Sequence, residues 1–193
     1  MTTHQPSPTS PRPSAPPARS ARGRGRATPL PLVPLLAALA LACGPGPGGE
    51  SPGAVAIGDP APAFRLAALD APELGPQDFA GDVVLLEFWA TWCIPCHAQA
   101  DVLERVYPEY RERGFAFLAI DLGEDEETVR RFVAANPFPY PVLLDPDDEL
   151  SWELGIHALP TLMVIDRANA VSFFHTGVVD EDELRRVLDK AAA

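Results

Sequence analysis

The stretch Trp89-Ala90-Thr91-Trp92-Cys93-Ile94-Pro95-Cys96 joins two segments of different periodicity. Before it, residues 83–89 form an apolar run that only Glu87 interrupts, as is typical of a strand in a parallel sheet covered on both faces. After it, residues 96–113 have the apolar spacing of a helix. The sequence therefore predicts a strand that runs directly into a helix, with two cysteines at the junction.

The position of these cysteines favours redox chemistry. Cys93 is expected at the helix start, where unpaired backbone N–H groups and the helix dipole favour a thiolate, so it should be the more exposed and more acidic thiol. Cys96 lies about one turn further along, near enough to form a small disulfide ring with Cys93. Pro95 suits the first helical turn, because the N–H group that it lacks would have been unpaired there.

Two other uses of a C-x-x-C pair are possible. The pair could be half of a zinc site, but a structural site needs four ligands, and the sequence has no second C-x-x-C or spaced Cys/His pair. It could also be a purely structural disulfide, although so short a ring removes little entropy from the unfolded chain.

The N-terminal part has the organisation of an export signal. Residues 1–29 contain five arginines and no acidic residue, and residues 30–42 are apolar and end in small side chains. The segment Leu39-Ala40-Leu41-Ala42-Cys43 resembles a bacterial lipobox, which implies lipidation of Cys43, whereas Ala40-Leu41-Ala42 would also suit ordinary signal cleavage. We predict a signal peptide at 1–43 and, from its Gly/Pro-rich composition, a flexible tether at 44–56.

Residues 57–193 are expected to form one exported domain, anchored by lipid to a membrane and facing the periplasm or the cell exterior. All 27 acidic residues follow Cys43, whereas five of the 15 basic residues precede it, which leaves 10 and a formal charge of −17 after Cys43. Such a domain is a poor nucleic-acid binder, and we expect a monomer.

The alternation of strands and helices predicts an α/β fold that ends in a hairpin and a helix. Pro108 is expected to kink or interrupt the long helix after Cys96. The other predicted elements are strands at 64–69, 115–121, 142–144, 161–166 and 171–175, and helices at 126–135, 147–155 and from Asp180 onwards.

Three motifs make residues 57–190 resemble the thioredoxin superfamily and, within it, the exported TlpA/ResA-like branch. They are Gly58-Asp59-Pro60-Ala61-Pro62-Ala63-Phe64, Phe88 to Cys96, and Gly155-Ile156-His157-Ala158-Leu159-Pro160-Thr161-Leu162. The resemblance implies a thioredoxin-like fold: a central mixed sheet flanked by helices, with an N-terminal extension and an inserted helix-strand unit at about residues 124–144. It also implies thiol-disulfide oxidoreductase activity and a cis bond before Pro160, which would lie against the active-site disulfide.

The chain departs from this branch at three positions. Glu87 stands where the branch commonly has Asn, and it is similar to the buried acid of thioredoxin itself. Gln99 replaces a frequent Glu, and Leu159 offers no hydroxyl to the thiols. A carboxylate in a buried strand needs a raised pKa or a specific partner, so we expect Glu87 to move the proton of Cys96.

We also predict the residues around the thiols. Pro160 is expected to shape a substrate groove together with Trp92, Ile94, Pro95, Leu159 and Thr161. Phe88, Trp89 and Trp92 are expected to be mainly core residues, and Trp92 should also shield the thiol of Cys93.

Protein thiols and disulfides are the expected partners, with an upstream redox partner that recharges the pair and no cofactor. A thiol peroxidase is a competing enzyme, but Ala90 stands where peroxiredoxins place Thr or Ser. A copper-binding or copper-delivery protein could use the two cysteines and a histidine. We expect no metal, because His97 should lie on the exposed face of its helix and His157 in a loop, as ordinary surface residues.

Overall fold

A computed structural model describes residues 53–193. The predicted signal peptide, Cys43 and most of the tether lie outside these residues. The strands are β1 (Val83–Trp89), β2 (Phe115–Leu122), β3 (Val142–Asp145), β4 (Thr161–Ile165) and β5 (Val171–Thr176). The helices are α1 (Ile94–Arg111), α2 (Glu126–Ala135), α3 (Glu149–Leu154) and α4 (Glu181–Ala191), and a short 3-10 helix spans Pro76–Phe79.

The five strands form one mixed sheet in the order β3-β2-β1-β4-β5. β1 is parallel to β2 and antiparallel to β4, so it is the central strand, and all seven of its residues are buried. Burial on both faces explains why its sequence is apolar throughout rather than alternating. The α/β prediction, with a mixed sheet flanked by helices and a closing β4-β5 hairpin, is confirmed.

Successive residues of β1 contribute to opposite sides of the sheet. Val83, Leu85 and Trp89 pack in the cluster that contains the buried residues of α1 and α4. Val84, Leu86 and Phe88 pack in the cluster that contains α3 and the segment before the sheet. Glu87 shares the parity of Leu85 and Trp89, so the pleat places it on the same side as α1 and the cysteines.

Of the two outcomes predicted at Pro108, a kink or an interruption of helix α1, the interruption does not occur. The helix continues through Pro108 to Arg111 without interruption. A proline removes only one backbone hydrogen bond, and burial of Val106 and Tyr110 on either side of it holds this end of the helix against the domain. Gly114, with φ of 79°, follows the helix end as expected.

The predicted strand at 64–69 is reduced to isolated bridges. Leu66 pairs with Leu74, and Ala68 pairs with Leu143. Backbone bonds from Leu69 to Val142 and from Leu144 to Ala67 attach this segment to the edge of β3. The sequence therefore indicated an extended segment here but not how few of its residues pair. The described residues include no helix that is long and apolar enough to span a membrane.

Candidate active site

The two cysteines occupy the junction that the sequence predicts. Cys93 is the N-cap of α1 and Cys96 lies in its first turn, with their sulfurs bonded at 2.02 Å and their Cα atoms 5.2 Å apart. The backbone N–H of Cys96 donates to the Cys93 sulfur at 3.3 Å. When the pair is reduced, the same N–H group and the helix dipole stabilise a thiolate on Cys93.

The disulfide is shielded by protein, yet its neighbours are open to solvent. Cys93 is 4% exposed and Cys96 is 1% exposed. The prediction for Trp92 as a core residue is wrong, because it is 68% exposed, and Ile94 is 74% exposed. Both side chains lie beside the helix start and are left exposed by the elements of residues 53–193. Phe88 and Trp89, in contrast, are buried as expected.

Glu87 is fully buried on β1, on the side of the sheet that carries the cysteines. The hydroxyl of Tyr140 donates to its Oε2 at 3.3 Å, and its Oε1 has no hydrogen-bond partner among the described residues. Burial raises the pKa of Glu87 to about 8, the Tyr140 hydrogen bond opposes this rise, and the charge of Glu104 adds to it. A carboxyl group in this state can accept or release a proton near neutral pH.

Pro160 lies directly before β4. The Leu159–Pro160 bond is cis, as the resemblance implies. Thr161 of β4 pairs with Phe88 of β1 in the antiparallel register. The preceding residue, Pro160, therefore lies beside Trp89 at the end of β1, next to the loop that carries Cys93. The Thr161 hydroxyl is buried and donates to the Ala158 carbonyl at 2.8 Å, so its side chain is occupied within the protein.

A second polar group holds the loop before Cys93, and the sequence prediction did not include it. The backbone N–H and the hydroxyl of Thr91 donate to the two carboxylate oxygens of Glu124 at 2.6 and 2.7 Å. Glu124 follows β2, and the buried Asp121 lies at the end of that strand. An acidic loop directly after a buried strand is visible in the sequence, but the pairing with Thr91 spans 33 residues and follows only from the fold.

The histidines are dispersed. The ring of His97 lies 3.0 Å from the Thr91 carbonyl and 5.1 Å from the Phe132 ring, so its predicted position on the exposed helix face is wrong. His157 packs against Trp152, and His175 is an exposed residue of β5. Within residues 53–193, no group of three His, Cys, Asp or Glu side chains is arranged to hold a metal ion.

Gln99, the second departure from the branch, has a structural contact. It is fully buried, and its Oε1 accepts a hydrogen bond from the backbone N–H of Val179 at 2.7 Å. The side chain therefore connects α1 to the segment before α4.

Comparisons with known proteins agree with this geometry. A family model described as Redoxin matches residues 56–190. The thiol-disulfide oxidoreductase ResA of Geobacillus thermodenitrificans is 32% identical over 136 residues, which cover 70% of this chain and 78% of that protein. ResA of Bacillus thuringiensis subsp. konkukian is 33% identical over 134 residues, covering 69% and 78%.

Solved structures show the same fold. A Chlorobium tepidum protein described as a thiol:disulfide interchange protein DsbE superposes with a TM-score of 0.67 and 29% identity, covering 71% of this chain and 98% of that one. StoA from Bacillus subtilis superposes with a TM-score of 0.57 at 22% identity, covering 66% and 97%, which supports the fold alone. The fold and the Cys93–Cys96 pair define a thioredoxin-like thiol-disulfide oxidoreductase. The chain belongs to the Redoxin family.

Proposed function

We propose that this protein is an exported, membrane-tethered oxidoreductase that exchanges its Cys93–Cys96 pair with protein thiols and disulfides. The observation that carries this proposal is the placement of the pair at the start of α1, on the same side of the sheet as the buried acid Glu87. The N-cap position favours a thiolate on Cys93, and a buried carboxyl group can serve Cys96.

The reaction proceeds through a mixed disulfide in the reductive direction. The Cys93 thiolate attacks a partner disulfide, forms a bond to one partner sulfur and releases the other as a thiolate. Cys96 then loses its proton to Glu87 and attacks the Cys93 sulfur. This step releases the partner's second thiol and leaves the Cys93–Cys96 disulfide, so two electrons pass from the protein to the partner. The reverse sequence oxidises a partner dithiol, and neither direction needs a cofactor.

The surroundings of the pair support a protein partner. Trp92, Ile94 and Pro95 are exposed beside Cys93, and Leu159 precedes the cis Pro160 at the same edge of the sheet. We propose that these residues, with the backbone of Thr161, form the groove that holds the partner segment. The exposed apolar side chains around the disulfide offer an extended partner chain surface to bury.

The location of the protein is proposed from its sequence. The signal-like residues 1–43 end in a lipobox-like segment at Cys43, and the Gly/Pro-rich residues after it are suited to a tether. We infer that Cys43 carries the lipid and that the domain faces the periplasm or the cell exterior.

Trapping of mixed disulfides tests the assignment of the two thiols. Cys96→Ser should accumulate mixed disulfides with partner proteins through Cys93, because the resolving thiol is missing. Cys93→Ser should accumulate almost none, since the remaining thiol lies inside the first turn of α1 and lacks the N-cap position that favours a thiolate. Non-reducing gels and mass spectrometry of cells that express each variant provide the measurement. Equal trapping by the two variants would contradict the assignment.

A further inference from the structure

A groove of about 480 Å³ lies beside the redox loop, between two exposed tryptophans. Trp92 precedes Cys93 and is 68% exposed, and Trp152 of α3 is 67% exposed on the far side of the groove. Leu122, Ile156 and Leu159 contribute apolar surface between them. Large aromatic side chains left in water around a cleft mark a binding surface, because burying them releases much apolar area.

The groove is also acidic. Asp148 lines it, with a carboxylate oxygen 3.0 Å from the position that a Cβ atom would take on Gly123, so the carboxylate lies over that glycine. Glu124 follows Gly123 in the chain, and its carboxylate accepts the two hydrogen bonds from Thr91. Burial and then the neighbouring Glu124 carboxylate raise the pKa of Asp121, at the end of β2, to about 9, so Asp121 is uncharged near neutral pH and Asp148 supplies the negative charge of the groove.

Among the described residues, no Arg or Lys side chain lines this groove, whereas His157 lines it and packs its ring against Trp152. Six arginines are instead paired with acidic side chains elsewhere: Arg65, Arg105, Arg113, Arg130, Arg131 and Arg185. Within this part of the chain, Asp148 therefore has no Arg or Lys counterion. A partner can supply it, and such charge complementarity directs both encounter and orientation.

We propose that the groove between Trp92 and Trp152 selects redox partners whose cysteine is flanked by a basic side chain, which packs on the indoles and faces Asp148. This proposal rests on the proposed function, because it names the class of protein segment that the oxidoreductase takes. In an extended segment, alternate side chains point the same way. A partner cysteine directed at Cys93 therefore directs the residue two positions away towards the same surface. An arginine there gains both a cation–π contact and an ion pair.

Three synthetic peptides test the proposal. They are identical except for Arg, Gln or Glu two positions after a single cysteine, and each is supplied as its symmetrical disulfide to the reduced protein at constant ionic strength. The measurement is the second-order rate constant for oxidation of the Cys93–Cys96 pair. For the parent protein we expect the Arg peptide to react about tenfold faster than the Glu peptide, as one ion pair and one cation–π contact together allow.

Variants assign this preference to the groove. Asp148→Asn removes the charge and retains a residue that tolerates the left-handed backbone at this position, where φ is 56°. We expect it to lower the Arg-to-Glu ratio by about two- to fivefold. Trp152→Ala should lower the ratio by a similar factor, and Trp152→Phe should restore most of it. The matched control is Glu112→Gln, which makes the same charge change at the C-terminal end of the 18-residue helix α1. This end lies about 27 Å along the helix from Cys93.

The outcomes are distinguishable. The proposal is wrong if the parent protein reacts equally with the three peptides, if Asp148→Asn keeps the parental ratio, or if Glu112→Gln lowers the ratio as much as Asp148→Asn does. The last result would assign the preference to the overall charge of the domain. Failure of the neutral Gln peptide to oxidise the parent protein would contradict the proposed function itself. If thermal melting shows that Asp148→Asn does not fold, the two Trp152 variants decide the question.

Discussion

Replacing Glu87 with Gln should stabilise the domain by an amount that grows with pH. The side chain is fully buried and, in the described residues, only the Tyr140 hydroxyl bonds to it. Gln has nearly the same shape as the protonated acid and carries no charge at any pH. The difference in unfolding free energy between parent and variant therefore isolates the cost of ionising Glu87 inside the protein.

The magnitude follows from the displaced pKa. Burial raises the pKa of Glu87 from its usual 4.5 to about 8. The pKa of Glu87 is higher in the folded state than in the unfolded state, so the protonated side chain favours folding. This contribution to stability is fully present below about pH 4.5 and is lost as the pH rises towards 8. Linkage gives a loss of about 1 kcal/mol at pH 5, about 3 kcal/mol at pH 7 and about 5 kcal/mol at pH 9. The variant should escape this loss.

Urea unfolding of the oxidised proteins at about pH 5, 7 and 9, followed by tryptophan fluorescence, measures the effect. The parent should lose stability relative to Glu87→Gln at each step. Glu112→Gln is the control, because it removes a carboxylate from the exposed end of α1 and should change the free energy of unfolding by less than about 1 kcal/mol at every pH. Any constant offset from the new amide group cancels when the three pH values are compared.

The same variant should be a slower enzyme. Loss of the proton acceptor for Cys96 should slow resolution of the mixed disulfide by about 10²-fold near neutral pH, whereas the first attack by Cys93 should change little. Rapid-mixing kinetics with a peptide disulfide separates the two steps. Parallel stability curves for parent and variant would refute the buried, protonated state of Glu87. Parental turnover between about pH 6 and pH 9 would refute its role in proton transfer.

Three further predictions concern neighbouring groups. Tyr140→Phe removes the hydrogen bond that opposes the rise in the pKa of Glu87, so the pH–rate profile for resolution should move to higher pH; an unmoved profile would contradict this contact. Thr91→Val removes one of the two bonds to Glu124 and should lower the free energy of unfolding by about 1–3 kcal/mol in urea titrations, whereas Thr91→Ser should not. Cys43→Ala should move the protein from the membrane to the soluble exported fraction, and equal recovery of both forms there, with no lipid mass on the parent, would exclude the anchor.

The sequence predicted those parts of the fold that local pattern determines. The apolar run at 83–89 and the helical spacing after Cys96 gave β1 and α1, because a fully buried strand and an amphipathic helix differ in period. Trp92 was misplaced because hydrophobicity does not tell which side of a helix start faces solvent. The helix is not interrupted at Pro108, because tertiary burial offsets the loss of one hydrogen bond.

The candidate site was predictable to the same extent. Cys93 and Cys96 follow from a local motif, whereas Tyr140 and Glu124 contact the site across 53 and 33 residues. No periodicity in the sequence marks such pairs. The Tyr140–Glu87 and Glu124–Thr91 contacts follow only from the fold, which aligns β2 and β3 beside β1.

The segment from Glu124 to Leu144, which the resemblance identifies as an insertion, bonds to both sides of the redox centre. Its first residue accepts two hydrogen bonds from Thr91 in the loop before Cys93, and Tyr140 near its end donates to the buried Glu87. Between them, Phe132 and Phe138 lie 5.4 and 4.7 Å from the ring of Trp89. The unit therefore supplies polar partners for the loop and for the acid, and it covers the strand end that joins them. We therefore expect a change in its packing to alter the pKa of Glu87 and the position of Thr91 together, and on the proposed mechanism this would couple proton transfer by Glu87 to the geometry of the loop that presents Cys93.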